Sequence, residues 1–427
     1  MSVLNVQNLS HGFGDRAIFN DVSFRLLKGE HVGLVGANGE GKSTFMNIVT
    51  GKLQPDEGKV EWSRKVRVGY LDQHAVLQKG TTMRDALSTA FQYLFDAESE
   101  INELYAKMGD EGADIDALLA EVGELQETLD SNDFYQINSK VEEVARGLGL
   151  DDVGLDRDVD DLSGGQRTKV LLAKLLLEKP EILLLDEPTN YLDVEHIRWL
   201  TSYLKEYPYA FILISHDTEF MNPVSNVIFQ LEFSKLTRYT ASYEKFLELA
   251  EINKNQHINA YEKQMEFIKK QEDFIAKNKA RYSTTGRAKS RQKQLDRLER
   301  IDRPETAVKP TFGFKESRSS SRYVFEATDL EIGYTQPLLP KMSMTLERGE
   351  KVAIIGCNGV GKSTLLKTML GKIDPINGKV ERGDFLFPSY FEQEVKAENM
   401  TPIDDVWNAF PSMDQHQVRA ALARCGL

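Results

Sequence analysis

The stretch Gly36-Ala-Asn-Gly-Glu-Gly-Lys-Ser-Thr44 returns as Gly356-Cys-Asn-Gly-Val-Gly-Lys-Ser-Thr364, at an offset of 320 residues. Its glycines let successive backbone N–H groups turn inward as an anion nest, and the helix that follows adds its partial positive charge. Gly-x-x-x-x-Gly-Lys-Ser/Thr therefore reads as a phosphate loop. Gly36, Asn38, Gly39, Gly41 and Thr44 form the first cradle, with Lys42 directed at β- and γ-phosphates and Ser43 at Mg2+. Gly356, Asn358, Gly359, Gly361 and Thr364 repeat the cradle, with Lys362 on the phosphates and Ser363 on the metal.

The repeat extends outward. Tyr70 recurs as Tyr390, Gln73 as Gln393, and Gly58-Lys-Val-Glu61 as Gly378-Lys-Val-Glu381. A period this long is a duplicated domain, not a solenoid. The first copy carries further motifs at residues 162–166, 182–187 and 216, whose counterparts would fall beyond Leu427. The sequence thus reads as a full domain over 1–240, a connector over 241–310, and the N-terminal half of a second, truncated domain over 322–427.

Of 427 residues, 41% are hydrophobic and 28% charged, an ordinary globular composition. The net charge of −13 argues against a protein that coats nucleic acid with a uniformly basic surface. Two cysteines are too few for a disulfide scaffold, a structural zinc site or an iron–sulfur cluster, and they fit a reducing, cytoplasmic compartment. The N-terminus lacks the apolar region of a signal peptide. No apolar run approaches the ~20 residues of a membrane span, so transport by this chain alone is excluded.

Val3–Leu9 and Asp21–Leu26 alternate like half-buried strands, His31–Val35 is a short apolar strand entering the first loop, and Ser43–Val49 reads as a helix. Ser163–Leu177 has helical apolar spacing, while Glu181–Leu185 and Ala210–Ile214 read as buried parallel strands. Helices and strands alternating around a phosphate loop give an α/β fold. Asp186, at the end of an apolar strand, is placed to bind Mg2+ through water, and Glu187 to orient or polarise an attacking water. Ser163 can cap its helix, and Ser163, Gly164, Gly165 and Gln166 make that helix end a second anion site. His216, after the strand Ala210–Ser215, can hydrogen-bond a γ-phosphate. Gln73 and Gln393 bring amides that can sense metal or water. Phe13 and Tyr334 are candidates to stack on a base, core packing being the alternative.

Phosphate loop, Gln73, Leu162-Ser-Gly-Gly-Gln166, Leu183-Leu-Leu-Asp-Glu-Pro188, Thr189-Asn-Tyr-Leu-Asp193 and His216 follow one another in the order of ATP-binding cassette domains. Two copies in one chain, no membrane segment and a charged helical connector resemble the ABC-F family, over the whole chain. The resemblance implies tandem P-loop NTPase cassettes with a helical arm insertion and a helical interdomain linker. It implies binding of ATP and Mg2+, head-to-tail closure of cassettes on two ATP molecules, and reopening on hydrolysis. It also implies action on ribosomes near the exit site and the peptidyl-transferase centre, in translation control or in protection against antibiotics. The alternative is a cassette subunit docking on a separate membrane permease; the duplication and the connector favour the ribosome.

The sequence departs from the family pattern in four places. Glu40 stands beside the phosphates where the second loop has Val360, and is expected to point to solvent. Tyr191 replaces a more usual His, and Cys357 lies inside the second loop. The second copy shows no signature, carboxylate pair or switch His, so neither intramolecular site is complete. Either the sequence is truncated, or two copies pair head to tail in trans.

Charge is uneven along the chain. Lys254–Arg303 holds 14 Lys/Arg against 7 Asp/Glu and reads as two helices joined by a polar turn. Basic residues at such a tip (Arg281, Arg287, Lys289, Arg291 and Lys293) suit phosphate backbones and folded RNA. In ABC-F proteins this connector approaches the peptidyl-site (P-site) tRNA. Gln92–Asp133 is the reverse, with 13 Asp/Glu and one Lys. It reads as a helical hairpin, the arm, over about 90–135, whose tip is expected to meet a basic ribosomal protein or to stay solvated.

Overall fold

The structure, a computed structural model, describes residues 2–14, 16–64, 66–71, 77–109, 114–278, 285–301, 311, 313, 319–356, 358–392 and 400–425. It divides into two units, Met1–Asp302 and Arg303–Leu427.

The first unit opens with a hairpin of β1 (Ser2–Phe13) and β2 (Arg16–Leu27). Both strands outrun the alternation visible in the sequence, because register shifts between Val6 and Leu9 and between Leu9 and His11 break the two-residue period. β3 (His31–Val35) leads through the glycine loop into α1 (Lys42–Val49). β4 (Glu57–Trp62) pairs with β1 to complete an antiparallel sheet of order β2-β1-β4, and β5 (Val68–Tyr70) follows.

A helical layer comes next: α2 (Met83–Ser88), α3 (Gln92–Lys107), α4 (Ile115–Ser131) and α5 (Ile137–Gly147). α3 and α4 form the acidic arm. They bury Leu94, Ala97, Ile101 and Leu104 on one helix and Val122 and Leu129 on the other. Leu118 and Leu125 are only partly buried and Leu119 is exposed. The buried stripe on α4 is therefore narrower than the sequence pattern suggests.

The rest of the unit's α/β part is α6 (Gly164–Glu178), β6 (Ile182–Asp186), α7 (Val194–Lys205), β7 (Ala210–Ile214), α8 (Thr218–Val224), β8 (Val227–Glu232) and β9 (Lys235–Tyr239). The sheet order is β5-β6-β7-β3-β8-β9, parallel except for the β9 edge. Ile182–Leu185 and Ala210–Ile214 are buried throughout, as strands covered on both faces must be. The pairings Asp186↔Ile214 and Leu34↔Ile214 bring the end of β6 and the loop after β3 to the same sheet edge. In open α/β sheets that carboxyl edge is where ligands bind.

α9 (Tyr243–Asn278) and α10 (Thr285–Asp296) make up the connector hairpin. α9 is rooted in the first unit: Phe246 is buried with Met221 and Ile228, and the Glu244 N–H donates to Asn222 Oδ1. Ile268 and Leu295 are buried, and the Gln264 amide joins the Glu299 carbonyl and the Ile301 N–H at 2.8 Å each.

In the second unit, β10 (Tyr323–Glu331), β11 (Met342–Glu347), α11 (Lys362–Met369) and β12 (Asn377–Arg382) repeat the first sheet as β11-β10-β12; α12 (Pro402–Ala409) and α13 (Gln415–Arg424) follow. Residues 351–355 correspond to β3 but form no strand, and Val352, Ile354 and Ile355 are exposed. In the first unit, by contrast, β3 is paired on both sides, with β7 and β8. Among the described residues, no helix is long and apolar enough to cross a membrane.

Candidate nucleotide site

The first phosphate loop is shaped by backbone that only glycine adopts freely. Gly39 and Gly41 have φ of +83° and +99°, and a Cβ on Gly41 would run into Ile18 Cγ2. A Cβ on Gly36 would lie 2.6 Å from the Leu231 carbonyl oxygen. Lys42 Nζ sits in the loop's curve, donating to the carbonyls of Gly36 at 2.8 Å and Ala37 at 3.1 Å. Burial lowers its pKa, opposed by the nearby Glu187, Asp186 and Glu40. Asn38 is exposed and Thr44 half-buried in α1. The second loop repeats this shape: Gly359 and Gly361 have φ of +83° and +109°, Lys362 Nζ donates to Gly356 O at 2.8 Å, Thr364 is buried, and Ser363 and Asn358 are exposed.

Ser43 Oγ donates to Asp186 Oδ2 at 3.2 Å, tying the start of α1 to the end of β6. Glu187 follows in the left-handed region, at φ +49°, and its N–H donates to Ile214 O at 2.9 Å. Its Oε2 accepts the His216 N–H at 3.4 Å. Its Oε1 is buried with no hydrogen-bond partner, 3.5 Å from His216 Nε2. Burial raises the pKa of both Asp186 and Glu187, since desolvation disfavours the charged carboxylate. Lys42, Ser43, Asp186, Glu187 and His216 thus converge at the carboxyl ends of β3, β6 and β7.

Ser163 and Gln166 cap α6 reciprocally: Ser163 Oγ accepts the Gln166 N–H at 3.3 Å, and Gln166 Oε1 accepts the Ser163 N–H at 2.9 Å. Gly164 and Gly165 open that helix, and a Cβ on Gly165 would lie 2.9 Å from the ring of Tyr191. Tyr191, which stands where the family more usually has His, is itself at φ +69°. Phe13 is 55% exposed at the tip of β1, with its ring edge-on to His11 at 5.0 Å; Tyr334 is 70% exposed. Neither ring packs in the core.

Of the connector bases, Arg287, Lys289 and Lys293 are exposed. Arg291 is instead half-buried: it lies 3.8 Å over the Phe274 ring and donates to Gln271 Oε1 at 3.1 Å. Gln73, Gln393, Arg281 and Cys357 lie outside the described residues. A residue that sequence reasoning passed over is Arg16, whose Nη2 donates to Gly39 O at 2.9 Å. The signal was present: position 336, its counterpart at the 320 offset, is Gln, not Arg.

The residues fit a nucleotide with a metal. The loop provides the anion cradle, and the Ser43–Asp186 pair offers two hard oxygens beside it. A profile of the ABC transporter family matches residues 19–190 and 339–420, and a second profile of the same description matches 229–314. The chain is 61% identical over 429 residues to the uncharacterized ABC transporter ATP-binding protein YfmM of Bacillus subtilis, covering 100% of this chain and 83% of that protein. It is 33% identical over 437 residues to ABC transporter F family member 2 of Arabidopsis thaliana, covering 99% and 64% of the two chains. It is 32% identical over 376 residues to the energy-dependent translational throttle protein EttA of Haemophilus influenzae, covering 86% and 66%. The fold is that of P-loop NTPase cassettes. The chain belongs to the ABC-F family of ATP-binding cassette ATPases.

Proposed function

We propose that this ABC-F protein hydrolyses ATP at the Lys42–His216 site and couples the cycle to a translating ribosome. The observation that carries the catalytic part is the buried, unpartnered Oε1 of Glu187 facing His216. An acceptor so placed, with a raised pKa, is suited to hold and polarise a water for attack on a γ-phosphate. Lys42 neutralises the β- and γ-oxygens, and His216 contacts the γ-phosphate. Ser43 and, through water, Asp186 would hold a Mg2+, which would supply further charge neutralisation. Phe13 stacks on the base, and Ser163–Gln166 faces the nucleotide of a partner cassette.

The cellular part rests on charge. A protein of net charge −13 concentrates bases on one helical hairpin and leaves Arg287, Lys289 and Lys293 exposed there. Such a tip suits folded RNA, and we assign it to peptidyl-site tRNA. A relative named as a translational throttle supports that assignment. The acidic arm does not suit RNA and is assigned to a basic protein surface. Sedimentation of the Glu187→Gln protein with ribosomes tests the reading: ATP-dependent co-sedimentation supports it, and sedimentation with membranes instead would return the permease alternative.

A further inference from the structure

The second unit provides an internal control for the first. Glu40, expected to point to solvent, is half-buried in the phosphate loop, and its charge acts on Lys42. Its counterpart is Val360. Arg16, at the start of β2, reaches the same loop and donates to the Gly39 carbonyl. Its counterpart is Gln336. The acid and the base are thus present together in one copy and absent together in the other. The Gly39–Glu40 peptide is held at both ends, its oxygen by Arg16 at 2.9 Å and its N–H by Ala37 O at 3.3 Å.

We propose that Arg16 is a positioning residue of the first nucleotide site: it pins the Gly39–Glu40 peptide and supplies the positive charge that lets Glu40 stand beside a bound triphosphate. This rests on the reading of the loop as an ATP site. A carboxylate near a polyphosphate repels it, and the repulsion grows with each phosphate. A guanidinium fixed one residue away offsets that field and stops the peptide from rotating. The Gln336–Val360 pair has no charge to balance.

The test is a double-substitution cycle on the full chain: Arg16→Gln, Glu40→Val and both together, the last being the pair the second copy carries. A fluorescent ATP, ADP or AMP analogue reports affinity at low and physiological salt. Arg16→Gln is expected to weaken ATP binding about tenfold, ADP less and AMP little, with a smaller loss at higher salt. The double variant is expected to recover most of the loss, and Arg16→Lys to retain part of the affinity. Thermal unfolding without nucleotide separates misfolding from this effect, since a folding defect would not scale with phosphate number. Arg16→Gln binding like the parent, or a double variant no better than Arg16→Gln, would overturn the proposal. If the parent itself binds no ATP, and Lys42→Ala changes nothing, the nucleotide reading fails instead.

Discussion

His216 Nε2 stands 3.5 Å from Glu187 Oε1, at the ends of two neighbouring parallel strands. The carboxylate oxygen is buried with no hydrogen-bond partner, and its desolvation is only partly offset by the nearby His216 and Lys42. Glu187→Gln keeps the shape and removes the charge. We expect it to bind ATP as the parent does while turnover drops on the order of 10²- to 10⁴-fold, as for loss of a general base. Its nucleotide-free stability at neutral pH should rise, because a desolvated anion is gone. Steady-state hydrolysis and thermal melts decide the two halves separately; undiminished turnover would remove Glu187 from the chemistry.

The same burial sets a pH dependence. Asp186, Glu187 and Glu178 have carboxyl pKa values raised mainly by desolvation. A group whose acid form is favoured by folding binds more protons in the native state than in the unfolded one. Stability from these groups therefore increases as pH falls from neutral through their raised values, and levels off below the ordinary carboxylate range. An Asp186→Asn/Glu187→Gln protein should show a flatter melting profile between pH 8 and pH 5 than the parent. Parallel profiles would mean that these two carboxylates do not titrate differently on folding.

What the sequence shows and hides follows from range. The helix after the first glycine loop, the Ser163 cap and the apolar strands before Asp186 and Ser215 are local patterns, and their spans fall within a residue of the bounds the sequence implies. The order β5-β6-β7-β3-β8-β9 joins strands far apart in the chain and leaves no periodic mark. Residues 351–355 show the converse: an apolar stretch much like His31–Val35 forms no strand, so a local apolar pattern alone does not make one. Charge counting grouped Arg291 with the exposed bases, but it could not see the Phe274 ring 17 residues back, which claims its guanidinium.

Gly41 tests how tightly the loop is built. At φ +99° an alanine is strained, and its Cβ would overlap Ile18 Cγ2 next to Phe19. Backbone strain and overpacking together should cost about 2–4 kcal/mol. Gly41→Ala is expected to lose ATP binding and melt at lower temperature. Gly51→Ala, also at positive φ but with nothing within 4 Å of its Cβ, should lose only the strain part and keep binding. Chemical denaturation of the two variants gives the comparison; equal losses would show that the Ile18 contact is soft.

The connector bases separate into two roles with opposite signatures. Arg291 is bound to Phe274 and Gln271, so Arg291→Ala should weaken the α9–α10 hairpin by about 1 kcal/mol. Faster amide exchange around Leu295 and Ile268, both buried, would report it. Arg287, Lys289 and Lys293 are exposed, and reversing them to Glu should leave exchange and melting unchanged. For every phosphate that is no longer neutralised, the slope of log affinity for ribosomes against log salt should instead shrink by about 0.7–0.9. The triple reversal therefore flattens that slope by about 2–3 while lowering affinity most at low salt. A reversal that leaves both slope and affinity intact would detach the hairpin from RNA, whatever happens at the ATP site.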